Sequence, residues 1–199
     1  MDAWRDLQLP MTEADARSLR TGDLVRLTGP VFTARDAVHK HLAAGHEPPC
    51  DLRGTVLFHC GPVIIRDPAS GAWRVTAAGP TTSIREEPYM AEIIRRFGIR
   101  GIIGKGGMGE GTLTACREHG CAYFQATGGA AQVLAACIRS VRNVYWLEEF
   151  GAPEALWELE LKNFPVTVTM DAAGRNLHAE IEATSRLRLD ALLAAGPKP

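Results

Sequence analysis

Three positive side chains stand where strand-like runs give way to helix-like ones: Arg35 in FTARDAVHK, Arg85 in GPTTSIREEP and Lys105 in IIGKGGMG. An arginine offers a planar fork of donors that matches a carboxylate, and a lysine adds a compact charge. Ligand sites in open α/β sheets gather at such strand ends. Converging there, the three cations would suit a small dicarboxylate; scattered, they are ordinary surface charges. The loop that carries Arg85 also carries three hydroxyls, Thr81, Thr82 and Ser83, behind a Gly79-Pro80 turn. Thr82 and Ser83 are expected to cap the following helix. His59, in LFHCGP, follows a strand-like run; it either orients a site residue or bonds to backbone as a structural histidine. His39, after Arg35, reads as a support or surface residue.

Residues 104–109 spell Gly-Lys-Gly-Gly-Met-Gly, a literal G-x-G-x-x-G between a strand-like and a helix-like stretch. That setting suits a pyrophosphate on a helix N-terminus. The acidic residue that would hold the ribose is missing, because the next strand ends in Gln125 and Ala126. No G-K-[ST] closes the loop either, so it is not a Walker loop. Two readings stay open: a glycine turn with a solvent-facing lysine, or a phosphate-binding loop in which Gly106 lets a ligand approach the backbone.

The 199 residues are 46% hydrophobic and 23% charged, with a formal net charge of −1, the balance of a globular chain with no general affinity for nucleic acid or anionic membranes. No apolar run approaches the roughly 20 residues that cross a bilayer. The N-terminal stretch has acids and no apolar core, so it is not a secretory signal, and a cytoplasmic location is the expectation. Cys50, Cys60, Cys116, Cys121 and Cys137 are odd in number and unpaired in spacing, which reads as reduced, small apolar residues. Cys60 and Cys121 are not expected to hold a cluster. Trp73, Trp146 and Trp157 read as core or subunit contacts.

These groups need elements to hold them. Residues 12–19 read as a short helix capped by Thr12, and 23–29 as a strand. The second half of residues 30–45 reads as a helix stopped by Gly45. Residues 54–65 and 72–80 are strand-like, interrupted by Gly-Pro turns. Then helix (88–97, ending at Gly98), strand, glycine loop, helix (111–119), the strand CAYFQA and the helix AAQVLAACI alternate, with VRNVYWL closing the series. Such alternation implies parallel strands joined by right-handed crossovers. The tail predicts two or three strands, a turn at Ala173-Gly174 and a polar terminal helix. The expected architecture is one α/β domain over residues 1–199 with a mixed sheet, its core at about 20–185 and a helical tail at 183–199.

Taken together and in order, FTARDAVHK, FHCGPVI, AAGPTTSIR, IIGKGGMG, ATGGAAQVLA and LWELELKNFPVTVTMDAAG resemble the C-terminal domain of the iron–sulfur (class I) fumarate hydratases. They equally resemble the β subunit of L-tartrate dehydratase. The resemblance implies a swivelling β/β/α domain working against a partner, an α subunit or N-terminal domain, that carries a [4Fe–4S] cluster. This chain would bind no cofactor by itself and would be inactive alone, as the β subunit of an α2β2 hydro-lyase. The family's substrate-binding arginines match Arg35 and Arg85, its lysine Lys105, and its proposed catalytic threonine Thr81. Fumarate hydration is the first expectation, tartrate dehydration the alternative, and a non-catalytic nucleotide- or phosphate-binding module or a regulatory subunit a further one. One departure stands out: the family usually follows this arginine with Met, whereas here Glu86-Glu87-Pro88 follows. A carboxylate beside Arg85 is expected to oppose a dianion if the pocket is dry.

Overall fold

The computed structural model describes residues 4–194. Its spine is a run of parallel strands, each returned by a helix: β2 (Leu24–Thr33), α2 (Asp36–Ala43), β3 (Val56–Phe58), α3 (Glu87–Phe97), β6 (Gly101–Gly104), α4 (Glu110–His119) and β7 (Ala122–Gln125). A short β1 (Arg5–Gln8) lies parallel to β2, followed by α1 (Glu13–Ser18), which Thr12 caps as expected. Between β3 and α3, β4 (Val63–Arg66) and β5 (Trp73–Ala77) form a separate antiparallel hairpin, set off by Gly61-Pro62. Gly98 stops α3 in the left-handed conformation, which a glycine adopts without steric penalty.

The sequence reading misjudged the last third in two respects. Residues 156–170 are one strand, β9 (Leu156–Met170), not two or three. Lys162, Asn163 and Pro165 look like a break, but the chain passes them on a bulge. Asn163 takes a positive φ of 53° and gives its N–H to Thr28 Oγ1 at 3.0 Å. The run VRNVYWL does not continue the parallel series: β8 (Ile138–Tyr145) pairs antiparallel with β9. Before it lies α5 (Ala131–Ala135), and after it α6 (Leu147–Phe150). The turn at Ala173-Gly174 is present, Gly174 N–H donating to the Asp171 carbonyl at 3.0 Å. The terminal helix α7 runs Leu177–Ala194; the expected tail's last residues, 195–199, lie outside the described residues. No helix among the described residues is long and apolar enough to cross a membrane.

Because β9 pairs with β7 and also with β2, the hydrogen bonding β2–β3–β6–β7–β9 closes on itself. Alternation along the strands then divides the core. Phe58, Ile103 and Phe124 point to one cluster, with Val25, Leu27, Trp157 and Phe164. Their neighbours Leu57, Ile102 and Tyr123 point to another, under α2, α3 and α4, with Val38, Met90 and Ile93. Phe124 is fully buried inside the ring. Phe124→Ala is expected to lower stability by about 3–5 kcal/mol through the lost transfer energy and the remaining cavity, read as a shifted urea midpoint with an unchanged slope.

Candidate functional site at the strand ends

Register sets the site. Thr33 pairs with Phe58, Phe58 with Ile103 and Ile103 with Phe124, so the four parallel strands end level. Arg35, His59, Lys105 and Gln125 follow at that level, one from each strand end. The loop after β5 is laid across them. Thr81 N–H and Oγ1 both donate to the His59 carbonyl, at 2.7 and 2.9 Å. Lys105 N–H donates to the Thr81 carbonyl at 3.2 Å, and Ser83 N–H to the Lys105 carbonyl at 3.1 Å. Thr81 and Lys105 are thereby fixed side by side. The Thr81 proton points to a carbonyl, which cannot accept it outright, so the hydroxyl is held as a positioned dipole with lone pairs outward.

Ser83 and Thr82 depart from their expected role. Ser83 is fully buried: His59 Nδ1 lies 2.9 Å from its Oγ, and Tyr123 donates its hydroxyl to the same atom at 2.8 Å. It approaches so closely because Gly104 has no Cβ to meet it. Thr82 occupies the N-cap of a 3₁₀ turn over Ser83–Glu86 but makes no capping bond, and it is exposed. His59 is therefore bonded to a side chain of the loop, and the alternative of a backbone-bonded histidine does not hold.

The two arginines meet over Asp36. Arg85 Nη2 lies 3.1 Å and Arg35 Nη2 3.9 Å from Asp36 Oδ2, and Arg35 Nη1 lies 3.1 Å from Glu154 Oε1. Glu154 also accepts the Ala37 N–H at 2.9 Å and so anchors the start of α2. Arg35 Nε is buried without a partner, which leaves the Nε edge of its fork uncommitted. Sequence reasoning missed Asp36 and Glu154. Asp36 could have been noticed as Arg35's neighbour, but nothing local marks Glu154, which arrives from the turn just before β9.

In the glycine loop the first backbone donors are consumed internally. Lys105 N–H goes to the Thr81 carbonyl at 3.2 Å and Gly106 N–H to Gln125 Oε1 at 3.0 Å. Glu87 accepts Gly109 N–H at 2.8 Å, Thr112 N–H at 3.1 Å and Thr112 Oγ1–H at 2.6 Å. A carboxylate from α3 thus already sits where a phosphate would sit on α4. The N–H groups of Gly106, Gly109 and Thr112 are thereby engaged within the fold, which weighs against the nucleotide reading.

Behind the arginines lie three enclosed titratable groups. His39 is fully buried, its Nδ1 2.8 Å from the Arg35 carbonyl, and burial lowers its pKa to about 4. His59, its ring 4.9 Å from that of His39, is held well below the usual value by burial, then by His39 and Arg85. Glu86 turns inward and is fully enclosed, 3.6 Å from His39 Nδ1; burial first, then Asp36, push its pKa up to about 7 against the pull of Arg85. The carboxyl expected to stand beside the bound anion lies beneath the arginines instead. Burial raises the Cys60 thiol to about 12. No three His, Cys, Asp or Glu side chains among the described residues group as metal ligands.

A mixed α/β protein with its parallel strands ending level is of the class whose ligand sites lie at that end of the sheet. The model of the fumarase C-terminus family matches residues 3–181. The chain belongs to that family. A Geobacillus stearothermophilus protein named for class I fumarate hydratase is 53% identical over 92% of the chain, which spans only 35% of that relative's length. Two relatives are named L(+)-tartrate dehydratase subunit beta. The Methanocaldococcus jannaschii protein is 37% identical over 92% of this chain and 95% of its own length, and the Escherichia coli K12 protein 36% over 87% and 86%.

Two outcomes are expected from this geometry. Glu87→Ala strips the cap from α4 and is expected to lower stability by about 0.5–2 kcal/mol, measured by urea unfolding. His39, with its folded pKa below its ordinary value, contributes stability that is complete above pH 6.5 and lost as pH falls toward 4. The stability difference between the natural chain and His39→Gln should therefore shrink by roughly 3 kcal/mol across that window. The difference is the readout because Glu86, nearby, titrates in the opposite sense.

Proposed function

We propose that this chain is the β subunit of a two-subunit hydro-lyase that hydrates fumarate to malate, holding the dicarboxylate while an α subunit supplies a [4Fe–4S] cluster. The observation that carries this reading is the single rim on which Arg35, Thr81, Arg85 and Lys105 lie, linked through Asp36, His59 and Ser83. Arg85 and Arg35 would each take a substrate carboxylate, the substrate displacing Asp36 and competing with Glu154. Lys105 would neutralise charge that builds on the carboxylate during hydration. Thr81, fixed on the His59 carbonyl, would orient the substrate or water by its lone pairs; with no base at its proton, its role is positional. In this reading the cluster belongs to the partner, where it would polarise the leaving hydroxyl. His59 and Gly106 act from below: His59 through Ser83, Gly106 through its bond to Gln125.

Fumarate is preferred because the relative named for fumarate hydratase shares more sequence with this chain than those named for tartrate dehydratase. Tartrate dehydration to oxaloacetate is the second reading, favoured by relatives of nearly this length that carry that name. We further propose a single-domain, cytoplasmic β chain in an α2β2 assembly.

The test is co-expression with the cluster-bearing partner, anaerobic purification and a fumarate absorbance assay. Turnover is expected only from the complex; no turnover of fumarate, tartrate or mesaconate ends the proposal. Arg85→Lys keeps the charge and loses the fork. It is expected to raise KM for the dicarboxylate roughly 10- to 150-fold, the equivalent of one charge-assisted hydrogen bond. An unchanged KM removes Arg85 from the site.

A further inference from the structure

The glycine loop is seated on the start of the terminal helix. Asn176, the residue before α7, is buried and makes bonds in two directions. Its Oδ1 accepts the N–H groups of His178 at 3.1 Å and Ala179 at 3.4 Å, which caps the helix. Its Nδ2 donates to the Met108 carbonyl at 3.3 Å, inside the loop that follows Lys105. Two residues on, the half-buried His178 lays its ring against Gly107. Gly107 has a φ of 75°, and a Cβ there would collide with the imidazole, so loop and ring fit only because this residue is glycine. The ring is itself held. Its Nε2 lies 3.0 Å from Thr169 Oγ1 on β9, and it stands at 82° to the Tyr123 ring, the centroids 6.2 Å apart. Tyr123 donates in turn to Ser83, the buried pin of the Thr81 segment.

We propose that Asn176 and His178 are positioning residues of the candidate site, which hold the turn after Lys105 against the sheet end and so set where the lysine charge stands. The inference rests on the reading of Lys105 as the cation that neutralises charge during hydration. Lys105 is fixed on one side, where its N–H donates to the Thr81 carbonyl and its own carbonyl accepts from Ser83. On the other side the chain runs through Gly106 and Gly107, two consecutive residues with positive φ and no side chain to pack. Glycine loses more freedom on ordering than any other residue, so such a turn keeps one conformation only where its surroundings impose it. Gln125 and Glu87 hold its two ends, at Gly106 and Gly109. Between those ends sit the two contacts from α7, Asn176 at the Met108 carbonyl and His178 beneath Gly107. Both act on the rim through the loop.

Two measurements test this. The first is ¹⁵N relaxation of the full chain. Asn176→Asp keeps the cap on α7 and loses the donor to Met108. In it the order parameters of Gly106, Gly107 and Met108 should fall from about 0.85 to below about 0.6. Those of Gly109 and Thr112, held by Glu87, should stay rigid. His178→Ala removes the seat under Gly107 and should loosen the same residues; His178→Phe restores a flat ring there and should recover their order. Asn176→Asp also serves if the alanine variant folds poorly. An unchanged loop, or a loosening that spreads equally to Gly109 and Thr112, overturns the positioning role whatever the enzyme does. A phenylalanine variant as loose as the alanine one overturns the part given to the ring. The second measurement is kcat and KM for fumarate in the assembled enzyme. A displaced Lys105 weakens stabilisation of the transition state. In Asn176→Asp and His178→Ala, kcat should therefore fall by about 10- to 100-fold with KM little changed, and in His178→Phe it should recover. A loosened loop with an unchanged kcat overturns the link to Lys105. A complex that turns over no dicarboxylate overturns that link together with the site reading, and the relaxation data still decide the loop.

Discussion

The segment from Thr81 to Ser83 is hydrogen-bonded on both flanks, to the His59 carbonyl on one side and to Lys105 on the other. It behaves as a short added strand at the end of a sheet, and the glycine at 104 permits it to lie there. Nearly every group of the rim takes its position from these bonds. Thr81 is aimed by them, Lys105 is aligned by them, and Arg85 follows one 3₁₀ turn later. The buried Ser83, bonded to His59 and Tyr123, pins the segment from below and ties it to two separate strands. Such a site is built by backbone geometry first, and its side chains inherit their order.

On the proposed reading, its electrostatics are those of a site in waiting. Each arginine already has an acid, Glu154 for Arg35 and Asp36 for Arg85, so neither guanidinium must be reorganised from bulk water when an anion arrives. The Arg85–Asp36 pair is exposed enough to be weak, which suits an exchange of one carboxylate for another. The glycine loop makes the contrasting case. There the carboxylate of Glu87 makes three bonds from a partly buried position, and the helix end it caps is closed to other anions.

Much of the architecture is legible in the chain because it is written in local terms. Gly98 ends a helix, Thr12 starts one, and the alternation of strand and helix after residue 86 reads as parallel units. The cations at strand ends are equally visible, since a residue's place after a strand is a local fact. What is not local is not legible. Asn163 and Pro165 resemble a break, and only the pairing with β2 shows a bulge within one strand. Glu154 and Glu87 reach their partners across the fold. Ser83 looks like a cap in GPTTSIR, yet its hydroxyl is drawn inward by His59 and Tyr123, a histidine and a tyrosine that no spacing rule joins to it. Glu86 looks like an antagonist of Arg85, yet its side chain turns inward and is enclosed beside His39.

The ring of strands has a consequence for how the molecule is made. β9 supplies the pairing for β2 and β7 at once, and Leu24 finds its partner only at Thr167. On the ribosome, β2 and its neighbours emerge long before that partner exists, leaving one flank of β2 unpaired until β9 has been made. Topologies dominated by such distant pairings assemble slowly and expose strand edges while they wait. The arrangement that levels the candidate site's groups therefore leaves the edge of β2 open in the nascent chain until β9 arrives.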